Sequence, residues 1–199
     1  MNRQYSLVIS PNTKTLSQIR LFQNIIKTCR GSWIASEDES GYIELVNFQA
    51  SENDYIIISK EINYIASNLS PFQIQLDGFG ISEEKNKCCF NLKINEETCS
   101  IIKEYGNLLI EGLNQLEIKE PIPKFQIPSC PIGVKITQEL TNKGYRLLDK
   151  LTMTHPCFFL TMRQFDEENY CYKTIEKIPL LGSTDESSSF LTYIMSQTS

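Results

Sequence analysis

The sequence predicts an α+β fold of two similar lobes, each an antiparallel sheet with helices on its outer face, around a central cleft. Two observations predict it. The order strand, helix, hairpin occurs in residues 42–94 and again in residues 129–178. The equivalent strands begin about 87 residues apart and the hairpins about 86 apart. A repeat at this offset indicates two related halves, each giving one central strand to a shared cleft.

Apolar spacings of two residues, or of three and four, give the elements in chain order. The predicted strands are 4–10, 42–48, 72–81, 87–94, 129–134, 157–165 and 170–178. The predicted helices run from a capping box at Thr15 and Gln18 to about residue 30, from Ser51 to Pro71, from Asn95 to about Gly112, and from about 136 to 151. In the third helix the inward side chains are expected to be Ile101, Ile102, Tyr105, Leu108 and Leu109.

These elements form one two-lobed domain over residues 1–182. The tail, residues 183–199, mixes serines with apolar side chains, and we expect it to be flexible or docked. The apolar residues available for docking are Phe190, Leu191, Tyr193 and Ile194.

Charge and hydropathy argue against two classes of protein, nonspecific nucleic-acid binders and membrane-spanning proteins. Nineteen basic and 24 acidic residues give a net charge of −5, whereas nonspecific binding along nucleic acid needs excess Lys and Arg to replace counterions. No apolar run approaches the roughly 20 residues that span a bilayer, and the N-terminal residues lack the apolar core of a signal peptide. We therefore expect a soluble, cytoplasmic protein.

The seven cysteines are an odd count without a Cys-x-x-Cys pair, which favours reduced, buried thiols. A zinc site using His155, Cys157 and a distant cysteine is the less favoured alternative. We expect no metal and no cofactor.

The two central strands carry the candidate site. Residues two apart on a strand share a face. If Ile43 and Leu45 face the core, the side chains on the opposite face, those of Tyr42, Glu44 and Val46, point toward the cleft. In the second strand Cys130, Ile132 and Val134 are expected to point inward. The cleft positions there are then Ser129, Pro131 and Gly133, the last leaving bare backbone for a ligand or another strand.

Residues 42–48 (Tyr-Ile-Glu-Leu-Val-Asn-Phe) resemble the His-x-Thr-Leu-x-Asn-Phe strand of the two-histidine phosphoesterases of the 2′-5′ RNA ligase-like group. Residues 128–133 (Pro-Ser-Cys-Pro-Ile-Gly) resemble the group's Pro-His-x-Thr-Ile-Gly strand. The strand at 5–9 and the hairpin from Pro71 to Gly80 are similar too. The resemblance covers nearly the whole chain up to about Leu180.

The resemblance implies that one histidine serves as general base and the other as general acid, while the hydroxyls hold the phosphate. Here Tyr42 and Ser129 stand at the histidine positions, and Glu44 and Pro131 at the hydroxyl positions. A phenol with a pKa near 10 and an aliphatic hydroxyl are poor substitutes for imidazole. Proline has no side-chain donor, and Glu44 would repel a phosphate by kilocalories at roughly 4 Å. Sliding the second strand by one residue recovers no histidine.

Other side chains are weaker candidates for chemistry. His155, the single histidine, lies outside both motifs, and a strand-edge imidazole is favoured over a catalytic one. Tyr42 and Glu44 could share a proton with Lys135, although a hydrogen-bonded filler of the cleft is favoured. Trp33 is expected to pack in the core or between lobes rather than to stack on a base.

We therefore expect a protein of this fold that has lost phosphodiesterase catalysis, with a cleft that either binds a small nucleotide, an RNA end or a protein, or is simply packed. The candidate ligand-binding residues are Tyr42, Glu44, Ser129, Gly133 and Lys135. The alternative is an active phosphoesterase or ligase on RNA ends or nucleoside cyclic phosphates, using Glu44 as base. A third hypothesis is a scaffold that binds partners through the cleft or the tail.

Overall fold

A computed structural model describes residues 2–27, 33–34, 41–84, 87–118, 128–134 and 152–182. Within those ranges it contains nine strands and three helices. The strands are β1 (Arg3–Ile9), β2 (Trp33–Ile34), β3 (Ile43–Ala50), β4 (Phe72–Glu84), β5 (Lys87–Ile94), β6 (Cys130–Val134), β7 (Thr152–Cys157), β8 (Phe159–Asp166) and β9 (Cys171–Pro179). The helices are α1 (Thr13–Lys27), α2 (Glu52–Ser67) and α3 (Glu96–Leu113).

The strands form two antiparallel sheets, which confirms the predicted fold class. The first sheet has the order β3-β1-β8-β9 and the second has the order β2-β6-β5-β4-β7. Each sheet takes strands from both repeated halves: β3 lies in the same sheet as the β8–β9 hairpin, and β6 pairs with β5. The two sheets therefore do not coincide with residues 42–94 and 129–178.

Helix α2 forms as predicted and covers the first sheet. Ser51 caps it by accepting a hydrogen bond from the backbone N–H of Asp54. Its residues Ile58 and Ile62 are fully buried in the core. The ring of Tyr55 stacks on Tyr5 of β1, with the centroids 4.4 Å apart, so this face of β1 points toward α2.

Two helical predictions need correction. Helix α1 begins at Thr13, and Asn12 is its cap, because the Asn12 Oδ1 accepts from the backbone N–H of Thr15 at 2.8 Å. Thr15 thus lies inside the first turn and is buried. In α3, which Asn95 caps as predicted, Leu108 is 41% exposed rather than inward. The buried stripe of α3 passes through Ile102, Tyr105 and Leu109 instead.

The structure also contains two strands that the sequence did not predict. Short β2 pairs with β6 at the edge of the second sheet, and Trp33 lies on it. At the other edge β7 pairs with β4. The strand predicted at 157–165 corresponds to β8, which begins at Phe159, and β7 precedes it at 152–157. The predicted helix at 136–151, Lys135 and the tail at 183–199 lie outside the described residues.

None of the described helices is long and apolar enough to cross a membrane.

Candidate functional site

The two central strands that carry the family-like motifs are β3 and β6, the first and second motif strands. A β-bulge shapes the first of them. Leu7 pairs with Val46 but Val8 pairs with Glu44, so Leu45 is an extra residue on β3. Ile43 and Leu45 are buried and Glu44 is exposed, as predicted. Val46 was predicted to face the cleft and is instead 3% exposed within the core, because the bulge interrupts the simple alternation of faces.

The Glu44 carboxylate is held by two side chains of the first sheet. Its Oε2 accepts a hydrogen bond from the Ser6 Oγ at 3.0 Å and another from the Asn47 Nδ2 at 3.1 Å. Asn47 is itself fixed, because its Oδ1 accepts from Gln4 Nε2 at 3.3 Å and its Nδ2 also donates to the Tyr172 hydroxyl at 3.3 Å. Ser6 follows Tyr5 on β1, so its side chain lies on the face turned away from α2.

Arg163 on β8 completes this arrangement. Its guanidinium carbon lies 4.4 Å from the centre of the Tyr42 ring and 4.7 Å from the centre of the Tyr172 ring. Its Nη2 donates to the Ser6 Oγ at 3.4 Å, and the residue is only 5% exposed. Both rings hold the cation by cation–π attraction. We call Tyr42, Glu44, Ser6, Asn47, Arg163 and Tyr172 the Glu44 cluster.

The second motif strand follows the prediction where it is described. Cys130 and Ile132 are fully buried, Ser129 is exposed and Pro131 is half-buried. The backbone N–H of Gly41 donates to the Pro131 carbonyl at 3.0 Å, which joins the starts of the two motif strands. Tyr42 and Pro131 are thus brought near each other.

His155 lies on β7, away from the second motif strand. It pairs with Ile74, and two strands separate β7 from β6, which places them roughly 14 Å apart at about 4.8 Å per strand. The ring Nδ1 lies 3.3 Å from the Thr15 hydroxyl of α1, and the residue is 3% exposed. Burial lowers the pKa of His155 from 6.5 to about 4, so the imidazole is neutral at physiological pH.

Two of the free thiols, those of Cys130 and Cys157, are buried. Burial raises the pKa of Cys130 and of Cys157 to about 12, so both remain protonated. No cluster of three metal-binding side chains occurs among the residues that the structure describes.

A cavity of about 450 Å³ lies elsewhere, between the start of β1 and the turn that joins β8 to β9. Its lining includes Arg3, Asp166 and Lys173 and none of the predicted cleft residues. An ion pair with Lys173 and hydrogen bonds from Asn169 hold the pKa of Asp166 well below its usual value. These contacts close the turn and account for Asp166 and Lys173 there.

Comparisons with known proteins identify the architecture. No protein-family model and no curated protein matches the sequence. Solved structures do match. TT0787 of Thermus thermophilus gives a TM-score of 0.65 at 12% identity over 90% of this chain and 99% of that one. Escherichia coli LigT complexed with 3′-AMP gives 0.65 at 11%, over 90% and 99%.

The chain has the LigT fold. A third match, Usb1 of Kluyveromyces marxianus, gives a TM-score of 0.53 at 10% identity over 90% of this chain and 97% of that one. These proteins belong to the two-histidine phosphoesterase superfamily, so the predicted resemblance is confirmed for the fold. Escherichia coli LigT has also been solved with ATP, with phosphate and with NADP+.

Within this LigT fold the sequence analysis found some residues of the Glu44 cluster and missed others. Tyr42 and Glu44 were predicted and do lie in one cluster, while Lys135 lies outside the described residues. Ser6 and Arg163 were missed, although each is a polar residue within an apolar strand, which is the signal that could have found them. Their mutual contact joins β1 to β8 over 157 residues, a separation that no local pattern encodes.

Proposed function

We propose that this protein is a LigT-fold protein that has lost phosphodiesterase catalysis and uses its cleft for binding. The observation that carries the proposal is the Glu44 cluster. The side chain at the first histidine position, Tyr42, is stacked on Arg163, and the one two residues on, Glu44, is held by Ser6 and Asn47. Both are committed to structural contacts.

General acid–base catalysis at phosphorus needs two groups that titrate near neutral pH, one on each side of the reacting phosphate. Neither Ser129 nor Pro131 can supply one from the second strand. The neutral imidazole of His155 is turned to α1, and two strands separate its strand from β6. No group among the described residues of the two motif strands therefore replaces the missing pair.

The proposed ligand is a small nucleotide or an RNA end. The support is the match to Escherichia coli LigT, which has been solved with 3′-AMP, together with the polar side chains that line the first sheet opposite α2. A protein partner in the cleft is the other candidate.

We propose that the protein is cytoplasmic, because the free thiols of Cys99, Cys130, Cys157 and Cys171 suit a reducing compartment.

Calorimetric titration with nucleoside 2′- and 3′-monophosphates, paired with phosphorus NMR on 2′,3′-cyclic phosphates, tests this proposal. We expect binding without turnover. If the protein binds neither the monophosphates nor the cyclic phosphates, a nucleotide ligand is excluded and a protein partner is the candidate that is left. Hydrolysis of a cyclic phosphate that stops on Tyr42→Phe or Glu44→Ala would refute the loss of catalysis.

One observation favours the second candidate, an active phosphoesterase or ligase. Glu44 is exposed, and both of its hydrogen bonds described above fall on Oε2, so solvent can reach the carboxylate. If Glu44 were a general base, the pH–rate profile would be bell-shaped and Glu44→Gln would abolish it. Measuring the pH–rate profile of the wild type and of Glu44→Gln separates an active phosphoesterase or ligase from a protein that only binds.

A further inference from the structure

The donors around Glu44 converge on one carboxylate oxygen. Ser6 Oγ and Asn47 Nδ2 donate to the same Oε2, at 3.0 and 3.1 Å. Arg163 donates to the Ser6 Oγ, so its positive charge lies next to one of the two donors. This geometry is that of a site built to hold a negatively charged oxygen.

The donors are also fixed before any anion arrives. Ser6 is fully buried and Arg163 is 5% exposed against two rings, so neither can turn out to water. Asn47 is oriented by Gln4 and Tyr172. Donors that are buried and oriented lose little entropy on binding, and leaving them unpaired is costly. An anion is therefore the group that best satisfies them.

In this chain that anion is Glu44. We propose that Glu44 is a built-in ligand: its carboxylate occupies an anion site, formed by Ser6 and Asn47 with Arg163 behind them, that otherwise takes inorganic phosphate or a phosphate monoester. Glu44 reaches the site from the exposed side of β3, so the position that its carboxylate occupies is open to a ligand from solvent. The wild-type site is filled and negatively charged, and phosphate is excluded.

This inference deepens the proposed binding role, but the anion site itself does not depend on whether catalysis is lost. A nucleotide that enters the wild-type cleft must displace Glu44 or bind without its phosphate in this site. Removing the carboxylate should then turn an excluded anion into a bound one. The specificity of the cleft would rest on this single side chain.

Calorimetric titration with sodium phosphate at constant ionic strength tests the inference on the wild type and on Glu44→Ala. We expect Glu44→Ala to bind phosphate at least tenfold more tightly than the wild type. Glu104→Ala is the matched control, since it removes an equal charge from an exposed position on α3 and should bind phosphate as the wild type does. Adding Ser6→Ala to Glu44→Ala should abolish the gain.

Separate arms distinguish the source of the phosphate. Glu44→Ala should bind 3′-AMP more tightly than the wild type does, as it should inorganic phosphate. Its affinity for adenosine, which has no phosphate, should equal that of the wild type. Glu44→Val, whose β-branched side chain suits a strand and adds no hydrogen-bond donor, repeats the test if the alanine variant does not fold. The inference is overturned if the variant binds phosphate no more tightly than the wild type, or if the gain survives Ser6→Ala.

Phosphorus NMR on the wild type keeps the two proposals apart. Turnover of a cyclic phosphate there would refute the loss of catalysis, whatever Glu44→Ala does with phosphate. Absence of any phosphate gain would refute the built-in ligand, whether or not the wild type is inactive.

Discussion

The contact between Tyr42 and Arg163 can be measured as a coupling free energy. The guanidinium carbon of Arg163 lies 4.4 Å from the Tyr42 ring centre, and the residue is 5% exposed. Cation–π contacts contribute about 0.5–1 kcal/mol at exposed sites and about 2 kcal/mol when desolvated, so we expect about 1–2 kcal/mol here. The ring carries this term and the hydroxyl does not. Tyr42→Phe should therefore cost under about 0.5 kcal/mol, and Tyr42→Leu should lose the whole coupling.

A double-mutant cycle in urea isolates that term. Tyr42→Leu, Arg163→Met and the double variant should give a coupling of about 1–2 kcal/mol in the free energy of unfolding, where each kilocalorie corresponds to about 2–4 °C in Tm. Tyr64→Leu, at a residue 68% exposed on α2, is the control and should show no coupling to Arg163→Met. A Tyr42 coupling below about 0.3 kcal/mol would refute the stacked arrangement, as would a Tyr42→Phe cost equal to that of Tyr42→Leu.

Three further predictions concern the surroundings of the site. Gly41→Ala should destabilise by about 1–3 kcal/mol in urea unfolding, because Gly41 has φ +80° and an added Cβ would lie 2.5 Å from the Ile19 Cδ1; a neutral result would contradict this backbone conformation. Burial lowers the pKa of His155 to about 4, so the unfolded chain binds the proton first as pH falls. The free energy of unfolding should then drop between about pH 6.5 and pH 4, by at most about 1.4 kcal/mol per pH unit, and His155→Gln should flatten that slope. Burial raises the pKa values of Cys130 and Cys157 to about 12, so both thiols should resist iodoacetamide in the folded protein and react in urea. Mass spectrometry measures the labelling. If either cysteine of the folded protein is labelled as fast as an exposed thiol, its burial is contradicted.

The fold was predictable because its signals are local and repeated. The capping residues Ser51 and Asn95 mark the starts of α2 and α3, and three-to-four-residue spacing marks the buried stripe of α2. Strand alternation correctly placed Ile43, Leu45 and Cys130 in the core. It failed at Val46, because a bulge depends on the partner strand and leaves no trace in the spacing.

The Glu44 cluster was predictable only in part because its contacts are distant along the chain. Tyr42 and Glu44 could be found, since a motif strand marks their positions. Their partners could not, since Ser6 and Arg163 meet only after β1 pairs with β8. The sequence also did not predict that each sheet takes strands from both repeated halves. A repeat in sequence does not specify which sheet each strand joins.

The central claim is that this LigT fold no longer catalyses hydrolysis of a phosphodiester, and one measurement tests it most directly. Purified wild-type protein is incubated with a nucleoside 2′,3′-cyclic phosphate across roughly pH 5 to 9 and followed by phosphorus NMR, with Glu44→Gln alongside. We expect product to form no faster than in buffer, for both proteins at every pH. Turnover by the wild type that Glu44→Gln abolishes would contradict it and make Glu44 a catalytic residue.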